Sequence, residues 1–192
     1  FQKDILNLVY LCEYYNLNEV ANYWQQVVNI NDWQKDRISK LIVNNLFGSV
    51  SQKKLAVLGF AFKANTNDTR NSACINICKD LLEEGAIISI YDPKVDKHQI
   101  EQDLGSPPVD LLKENFREGW IYSETFKEAI KDTHAIIILT EWEEFIKIDF
   151  NYLFSKMNRP SWIFDTRSII NVQKAEKVGF NVWQVGNYSK YT

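Results

Sequence analysis

Leu55-Ala56-Val57-Leu58-Gly59-Phe60-Ala61-Phe62-Lys63-Ala64-Asn65-Thr66-Asn67-Asp68-Thr69-Arg70 is the stretch from which the rest of the chain can be read. An apolar run meets one glycine, then a polar loop carrying Lys63 and Arg70, with helix-start residues at Asp68-Thr69. Strand, loop and helix N-terminus in that order are how open α/β sheets hold phosphate groups. The dinucleotide fingerprint G-x-G-x-x-G needs three glycines, and only Gly59 is present. A phosphorylated ligand is therefore expected to be gripped by basic side chains rather than by a close backbone cradle. Lys63 offers a mobile ammonium and Arg70 a guanidinium fork suited to phosphate oxygens. A solvated βα loop with incidental charge fits the same spacing equally well.

Outward from this stretch, strands alternate with helices. Leu55 to Phe60 reads as a buried strand, Asn71 to Glu84 as a helix closed by Gly85, and Ile87 to Tyr91 as a second strand ending at Asp92-Pro93. Ala135 to Leu139, Trp162 to Phe164 and Asn181 to Val185 read as three more. Residues 94 to 118 lack clear periodicity and contain Pro107-Pro108, so an irregular excursion is expected there. The sum is an α/β fold, a Rossmann-like doubly wound parallel sheet covered on both faces. In such a sheet ligands lie outside the carboxyl ends of the strands, where the Ala61 to Arg70 loop falls.

Toward the N-terminus the pattern is helical. Ile5, Leu8, Val9 and Cys12 follow amphipathic spacing and predict a helix from about Lys3 to Tyr15. A second helix begins near Asn18, with Val20, Trp24, Val27 and Val28 as its stripe and Ile38, Leu41, Ile42 and Leu46 as a further one. Val20 and Ile38 are five turns apart, so one continuous helix of roughly 40 Å would align both. Asn31 and Lys35 interrupt that face, but no Gly or Pro intervenes, and continuity is preferred to a break near Asn31-Asp32. Gly48-Ser49 supplies the stop. The expected division is a helical segment over 1–50 followed by an α/β domain over 51–192.

The totals narrow the function. A net charge of −3 gives no global attraction to nucleic acid or an anionic membrane, so an anion site must be local. The longest apolar run, Ala135 to Leu139, is far too short to span a bilayer. The opening Phe1-Gln2-Lys3-Asp4 shows no secretory leader, and three cysteines make no disulfide framework, so a cytoplasmic setting is expected. No basic stripe runs alongside the six Trp, nine Tyr and eleven Phe, so core and subunit-interface filling is expected rather than base stacking.

Other constellations are weaker. Phe164-Asp165-Thr166-Arg167 repeats the strand-then-basic-residue arrangement, against a reading in which Arg167 simply pairs with Asp165 or solvent. Asp92 ends the second strand, where Rossmann folds place a ribose-binding acid, although Asp-Pro is also a common turn opener. Cys74 and Cys78 lie one helical turn apart without a second ligand pair, which makes them core thiols rather than a metal site. His98 and His134 are isolated. Lys3 and Asp4 head the first helix, where an acidic residue is a routine stabiliser.

Several blocks together carry a resemblance: Phe1-Gln-Lys-Asp-Ile-Leu-Asn-Leu, Tyr23-Trp-Gln-Gln-Val-Val-Asn-Ile-Asn-Asp, Leu58-Gly-Phe-Ala-Phe-Lys-Ala-Asn-Thr-Asn-Asp-Thr-Arg, Tyr91-Asp-Pro-Lys-Val, Thr140-Glu-Trp-Glu-Glu-Phe and Ile163-Phe-Asp-Thr-Arg. The chain resembles the central helix and C-terminal domain of the UDP-glucose 6-dehydrogenases, of the UDP-glucose/GDP-mannose dehydrogenase family, and most closely their animal form. The resemblance implies oxidation of a sugar C6 alcohol to a carboxylate with two NAD⁺, homo-oligomerisation through the central helix, and a UDP-sugar site in the C-terminal domain. It implies catalytic roles for Asp4 and Lys3, UDP-sugar contacts for Phe62, Lys63 and Arg167, and an NAD⁺ contact for Arg70, with no metal. In the family a Gly-Phe-Gly-Gly-Ser-Cys motif immediately precedes the Phe-Gln-Lys-Asp block. The nucleophilic cysteine and the N-terminal NAD domain thus fall before Phe1, and this chain by itself is expected to be inactive. A cysteine there would have its thiolate favoured by the helix dipole and by Lys3. Relatives often carry Glu after Asp-Thr-Arg, where this chain has Asn71, and the animal enzyme's tail extends beyond the position of Thr192. A dehydrogenase for UDP-N-acetylmannosamine or GDP-mannose is the alternative among enzymes; a non-catalytic nucleotide-binding or assembly module is the alternative outside them.

Overall fold

The computed structural model describes residues 2–109 and 118–187. The chain divides into two compact units, Phe1–Leu41 and Ile42–Thr192.

The first unit holds α1 (Gln2–Tyr14) and most of α2 (Asn18–Asn45). Asn16 takes a φ of 55° after α1, and the Leu17 N–H donates to the Cys12 carbonyl at 2.8 Å, which stops the helix and turns the chain. Val9, Cys12 and Ala21 are buried together, with Leu8 and Trp24 packed against them. α2 runs unbroken for 28 residues, about 42 Å. There is no break at Asn31-Asp32: Asn31 is exposed, and Lys35 pairs with Asp32 at 2.9 Å. The buried line follows the expected stripe at Trp24, Val28, Ile38, Ile42 and Leu46 and departs from it at Val20 and Val27. Ala21 and Val28, two turns apart, are buried, whereas Val20 and Val27 are each 43% exposed. Adjacent residues point about 100° apart on a helix, so packing against Val9 and Cys12 selects one line and turns the other outward.

Gly48, at a φ of 74°, donates its N–H to the Val43 carbonyl at 3.0 Å, one turn after α2 ends. The units nevertheless divide at 41/42 rather than at the expected 50/51. Ile42, Leu46 and Val50 are fully buried and belong to the second unit, so burial sets that division and chain punctuation does not.

The second unit is built on six strands, β1 (Lys54–Leu58), β2 (Ile87–Tyr91), β3 (Gly119–Tyr122), β4 (Ala135–Ile138), β5 (Trp162–Asp165) and β6 (Asn181–Gln184). They form one sheet in the order β3-β2-β1-β4-β5-β6, every pair parallel. This is the doubly wound order expected from the alternation of strands and helices. β1, β4 and β5 are buried along nearly their whole length, as strands covered on both faces must be. The connecting helices are α3 (Ala73–Glu83), α4 (Lys97–Leu104), α5 (Phe126–Ile130), α6 (Glu143–Ile146), α7 (Phe150–Lys156) and α8 (Val172–Val178). α3 packs on α4, and α7 on α8. Right-handed crossovers place those two pairs on opposite faces, because the sheet is built outward from β1 in one direction and from β4 in the other.

The expectation for 94–118 fails in part, and an unexpected strand follows that region. It is not irregular throughout: α4 is capped by Asp96, whose side chain accepts from the Gln99 N–H, and ended by Gly105 at a φ of 76°. Its buried stripe is only Ile100 and Leu104, too short to register as periodicity. β3 follows as a sixth strand, and only Trp120 in it is buried, as befits an edge. The part of the expected excursion over 110–117 lies outside the described residues.

Candidate functional site

Gly59 follows β1 directly and takes a φ of 90°. A Cβ there would overlap the Thr140 side chain and come within 2.8 Å of the Thr140 backbone nitrogen. Glycine is required because the loops leaving β1 and β4 touch at this point. Thr140 Oγ1 then donates to the Ala61 carbonyl at 2.7 Å, fixing the first turn of the loop. From there Phe62 and Lys63 emerge, Phe62 47% exposed and Lys63 exposed beside it.

The helix expected to start at Asp68-Thr69, or at Asn71, begins only at Ala73. Ser72 is its cap: the hydroxyl accepts from the Cys74 N–H at 3.3 Å and donates to the Phe60 carbonyl at 2.9 Å. Asp68 has another task. Its carboxylate takes the Arg70 backbone N–H at 3.0 Å, Arg70 Nε at 2.9 Å and Arg70 Nη2 at 2.7 Å. This fork of charge-assisted bonds holds the Asp68 carboxyl down to about 2 and raises the Arg70 guanidinium. Asn71 stands in the left-handed region at a φ of 60°, which asparagine tolerates better than glutamate. Arg70 is thus ordered by the residue two before it.

Asp92, at the end of β2, is only 4% exposed. Its Oδ2 accepts from the Phe60 N–H at 2.7 Å, the Ala61 N–H at 3.0 Å and the Trp142 indole at 3.1 Å. Its Oδ1 accepts from the Lys94 and Val95 N–H groups at 2.8 and 3.0 Å. Five such bonds, about 1.5–3 kcal/mol each when an ion is involved, outweigh the several kcal/mol that burying a carboxylate costs. The ribose-acid reading of Asp92 therefore fails: both oxygens are turned inward and fully used. A dinucleotide seated in the ordinary manner needs those Phe60 and Ala61 amides and a free acid at β2, and the residues present do not fit it.

Asp165, at the end of β5 and fully buried, plays the matching part on the other side of the sheet. It accepts from the backbone N–H groups of Arg167, Ile169 and Ile170 and from Gln184 Nε2, all between 2.8 and 3.0 Å. The Arg167 guanidinium does not pair with it. Arg167 Nε donates to the Leu139 carbonyl at 2.7 Å and lies 3.4 Å from Glu141 Oε2. That places Arg167 along the β4 loop, its side chain 36% exposed. Nothing in the residue types of Glu141 and Thr140 marks them for the site; their contacts to the loops after β5 and β1 join residues far apart in the chain.

The carboxyl edge of the sheet thus gathers Phe62, Lys63 and Arg70 from the loop after β1 and Arg167 from the loop after β5. β4 lies between those strands, so the two loops leave the sheet roughly 10 Å apart. Lys3 and Asp4 belong to the other unit, exposed in the first turn of α1. Cys74 and Cys78 are buried in α3 with sulfurs 3.7 Å apart, and burial pushes the Cys74 thiol well up, as suits packing rather than nucleophilic chemistry. Burial lowers His134, which bridges strands through its backbone. Among the described residues no group of three or more His, Cys, Asp or Glu could hold a metal ion, and no helix is long and apolar enough to cross a membrane.

With this geometry in place, residues 56–172 match the model of the UDP-glucose/GDP-mannose dehydrogenase family, UDP binding domain. The chain is 49% identical over 187 residues to UDP-glucose 6-dehydrogenase of Drosophila melanogaster, covering 97% of this chain and 39% of that protein. It is 47% identical over 195 residues to UDP-glucose 6-dehydrogenase 2 of Arabidopsis thaliana, covering 97% and 40%. It superposes on a UDP-glucose dehydrogenase from the archaeon Pyrobaculum islandicum with a TM-score of 0.69 at 23% identity, over 95% of this chain and 35% of that one. The chain spans about two fifths of the length of the curated relatives it matches.

Proposed function

Because the chain belongs to the UDP-glucose/GDP-mannose dehydrogenase family through its UDP binding domain, we propose that its second unit holds the UDP moiety of a nucleotide sugar. We propose further that it serves the NAD-dependent oxidation of UDP-glucose to UDP-glucuronate. The observation that carries this reading is the pairing of exposed basic side chains on loops two strands apart at the carboxyl edge, Lys63 after β1 and Arg167 after β5. A nucleoside diphosphate can bridge such a gap. Its phosphates need cationic side chains here, since the backbone amides after Gly59 are already bonded. Arg167 brings a planar fork whose Nε is anchored on Leu139, which leaves its terminal nitrogens to face a phosphate. Phe62 supplies an exposed apolar surface beside Lys63 for the sugar or base.

Arg70 is the candidate contact to NAD, and Lys3 and Asp4 are the candidate catalytic pair on the strength of the motif they belong to. Asp4, in the first turn of a helix, can accept and return a proton. The exposed apolar face of α1 and α2 is the proposed homo-oligomer surface, and a cytoplasmic setting suits an enzyme of nucleotide sugars.

Calorimetric titration of the chain with UDP tests the site. Binding is expected, weakened about tenfold or more by Lys63→Ala or Arg167→Ala; no heat at millimolar UDP would remove the site from these residues. The substrate is tested in a full-length polypeptide carrying this chain. NADH formation is expected with UDP-glucose and not with UDP-N-acetylmannosamine or GDP-mannose.

A further inference from the structure

The amides of Phe60 and Ala61 point at a single oxygen, Asp92 Oδ2, at 2.7 and 3.0 Å. Two successive backbone N–H groups converging on one oxygen after a glycine turn are the construction of an oxyanion seat. In a doubly wound sheet this is also the place where the loop after β1 meets a dinucleotide pyrophosphate. Here the occupant comes from the end of β2, the position from which an acid would otherwise reach a ribose.

We propose that the Phe60–Ala61 amide pair is a phosphate seat filled in cis by the Asp92 carboxylate, and that this filling keeps a dinucleotide pyrophosphate off the β1 loop. Three further features agree with it. The occupant is 4% exposed, and its bonding partners are four backbone amides and the Trp142 indole, all groups that would serve a phosphate oxygen as well as a carboxylate. Ala61, itself 1% exposed, stands at the second position of the G-x-G-x-x-G spacing, where close approach of a pyrophosphate calls for glycine. α3 does not start until Ala73, so no helix N-terminus follows the turn directly to share a phosphate charge. The sheet keeps the topology of a dinucleotide site while its own acid closes the phosphate seat. The inference rests on these contacts and not on which nucleotide sugar the chain takes.

The test follows backbone amide resonances of the isotopically labelled chain during titration with inorganic pyrophosphate, with NAD⁺ as a second titrant. With Lys63 and Arg167 both replaced by Ala, so that the basic side chains proposed for UDP take no part, the Phe60 and Ala61 amides and the Trp142 indole of the chain that keeps Asp92 are expected to stay in place through tens of millimolar of either. In Asp92→Ser on the same background the hydroxyl still reaches the Lys94 amide as a turn cap but is one bond too short for Phe60 and Ala61. Pyrophosphate is then expected to move those two amides saturably, at least about tenfold more tightly than in the chain that keeps Asp92. A folded Asp92→Ser chain whose amides ignore pyrophosphate would overturn the proposal. So would saturable movement of the same amides in the chain that keeps Asp92 but lacks the Lys63 and Arg167 side chains, a measurement that decides the matter even where Asp92→Ser does not fold. Thermal unfolding of the variant reports separately on the five lost or altered bonds.

Discussion

Gly59 sits where two loops touch, and the cost of filling that contact can be set out in advance. Its φ of 90° is strained for any L side chain, and Thr140 occupies the space a Cβ would need. Gly59→Ala is therefore expected to destabilise the chain by about 2–4 kcal/mol, read by denaturant unfolding, and to weaken UDP binding by disturbing Phe62 and Lys63. Asp68 makes a pH prediction. A carboxyl depressed in the folded chain contributes stability at pH values above its unfolded range, and that contribution is lost as pH falls through the folded value, about 2. A carboxyl-carbon titration should find Asp68 ionised through most of the acid range, and Arg70→Ala should return it toward the ordinary 3.8; a native titration near 3.8 would remove the fork. The basic residues of the site were legible because side-chain chemistry and strand-end position both appear in a sequence. Their partners were not. Asp92 reaches the amide of Phe60, and Arg167 reaches Leu139 and Glu141, only because β1, β2, β4 and β5 become neighbours in the sheet.

The strands that could be read were those whose apolar runs are continuous, such as Ala135 to Ile138, all four residues buried. β3 carries an apolar run of only three residues, Trp120 to Tyr122, directly after the aperiodic 94–118 segment, and of these it buries Trp120 alone. α4 had its signals at the ends, Asp96 and Gly105, rather than in its stripe. α3 shows the opposite error. Asp68 and Thr69 have the chemistry of a cap, but the fork to Arg70 and the left-handed Asn71 postpone the helix to the next capping residue, Ser72. Because the Ser72 hydroxyl both caps α3 and donates to Phe60, Ser72→Ala is expected to cost about 1–2 kcal/mol. Ser72→Thr should recover most of it; a melting temperature unchanged by Ser72→Ala would show that α3 does not depend on this cap.

Of the fourteen large apolar side chains that stand exposed among the described residues, eleven fall between Leu6 and Trp33, all in the first unit. Such a concentration is what an association surface requires. Replacing Ile30 and Trp33, 64% and 58% exposed, together by Asp is expected to leave the chain monomeric in sedimentation with its UDP heat intact. Retained self-association would move the oligomer surface elsewhere. The sheet of the second unit carries a consequence in time. β1 pairs with β2, but its other edge waits for β4: Leu55 lies opposite Ala135, and Leu58 opposite Ile138. Eighty residues separate each pair, and at ribosomal rates of about 5–20 residues per second β1 precedes its partner by roughly 4–16 s. Until then the Gly59 turn exists without Thr140 to clamp it, and a nascent chain carries the loop of Lys63 with one edge of its strand still open.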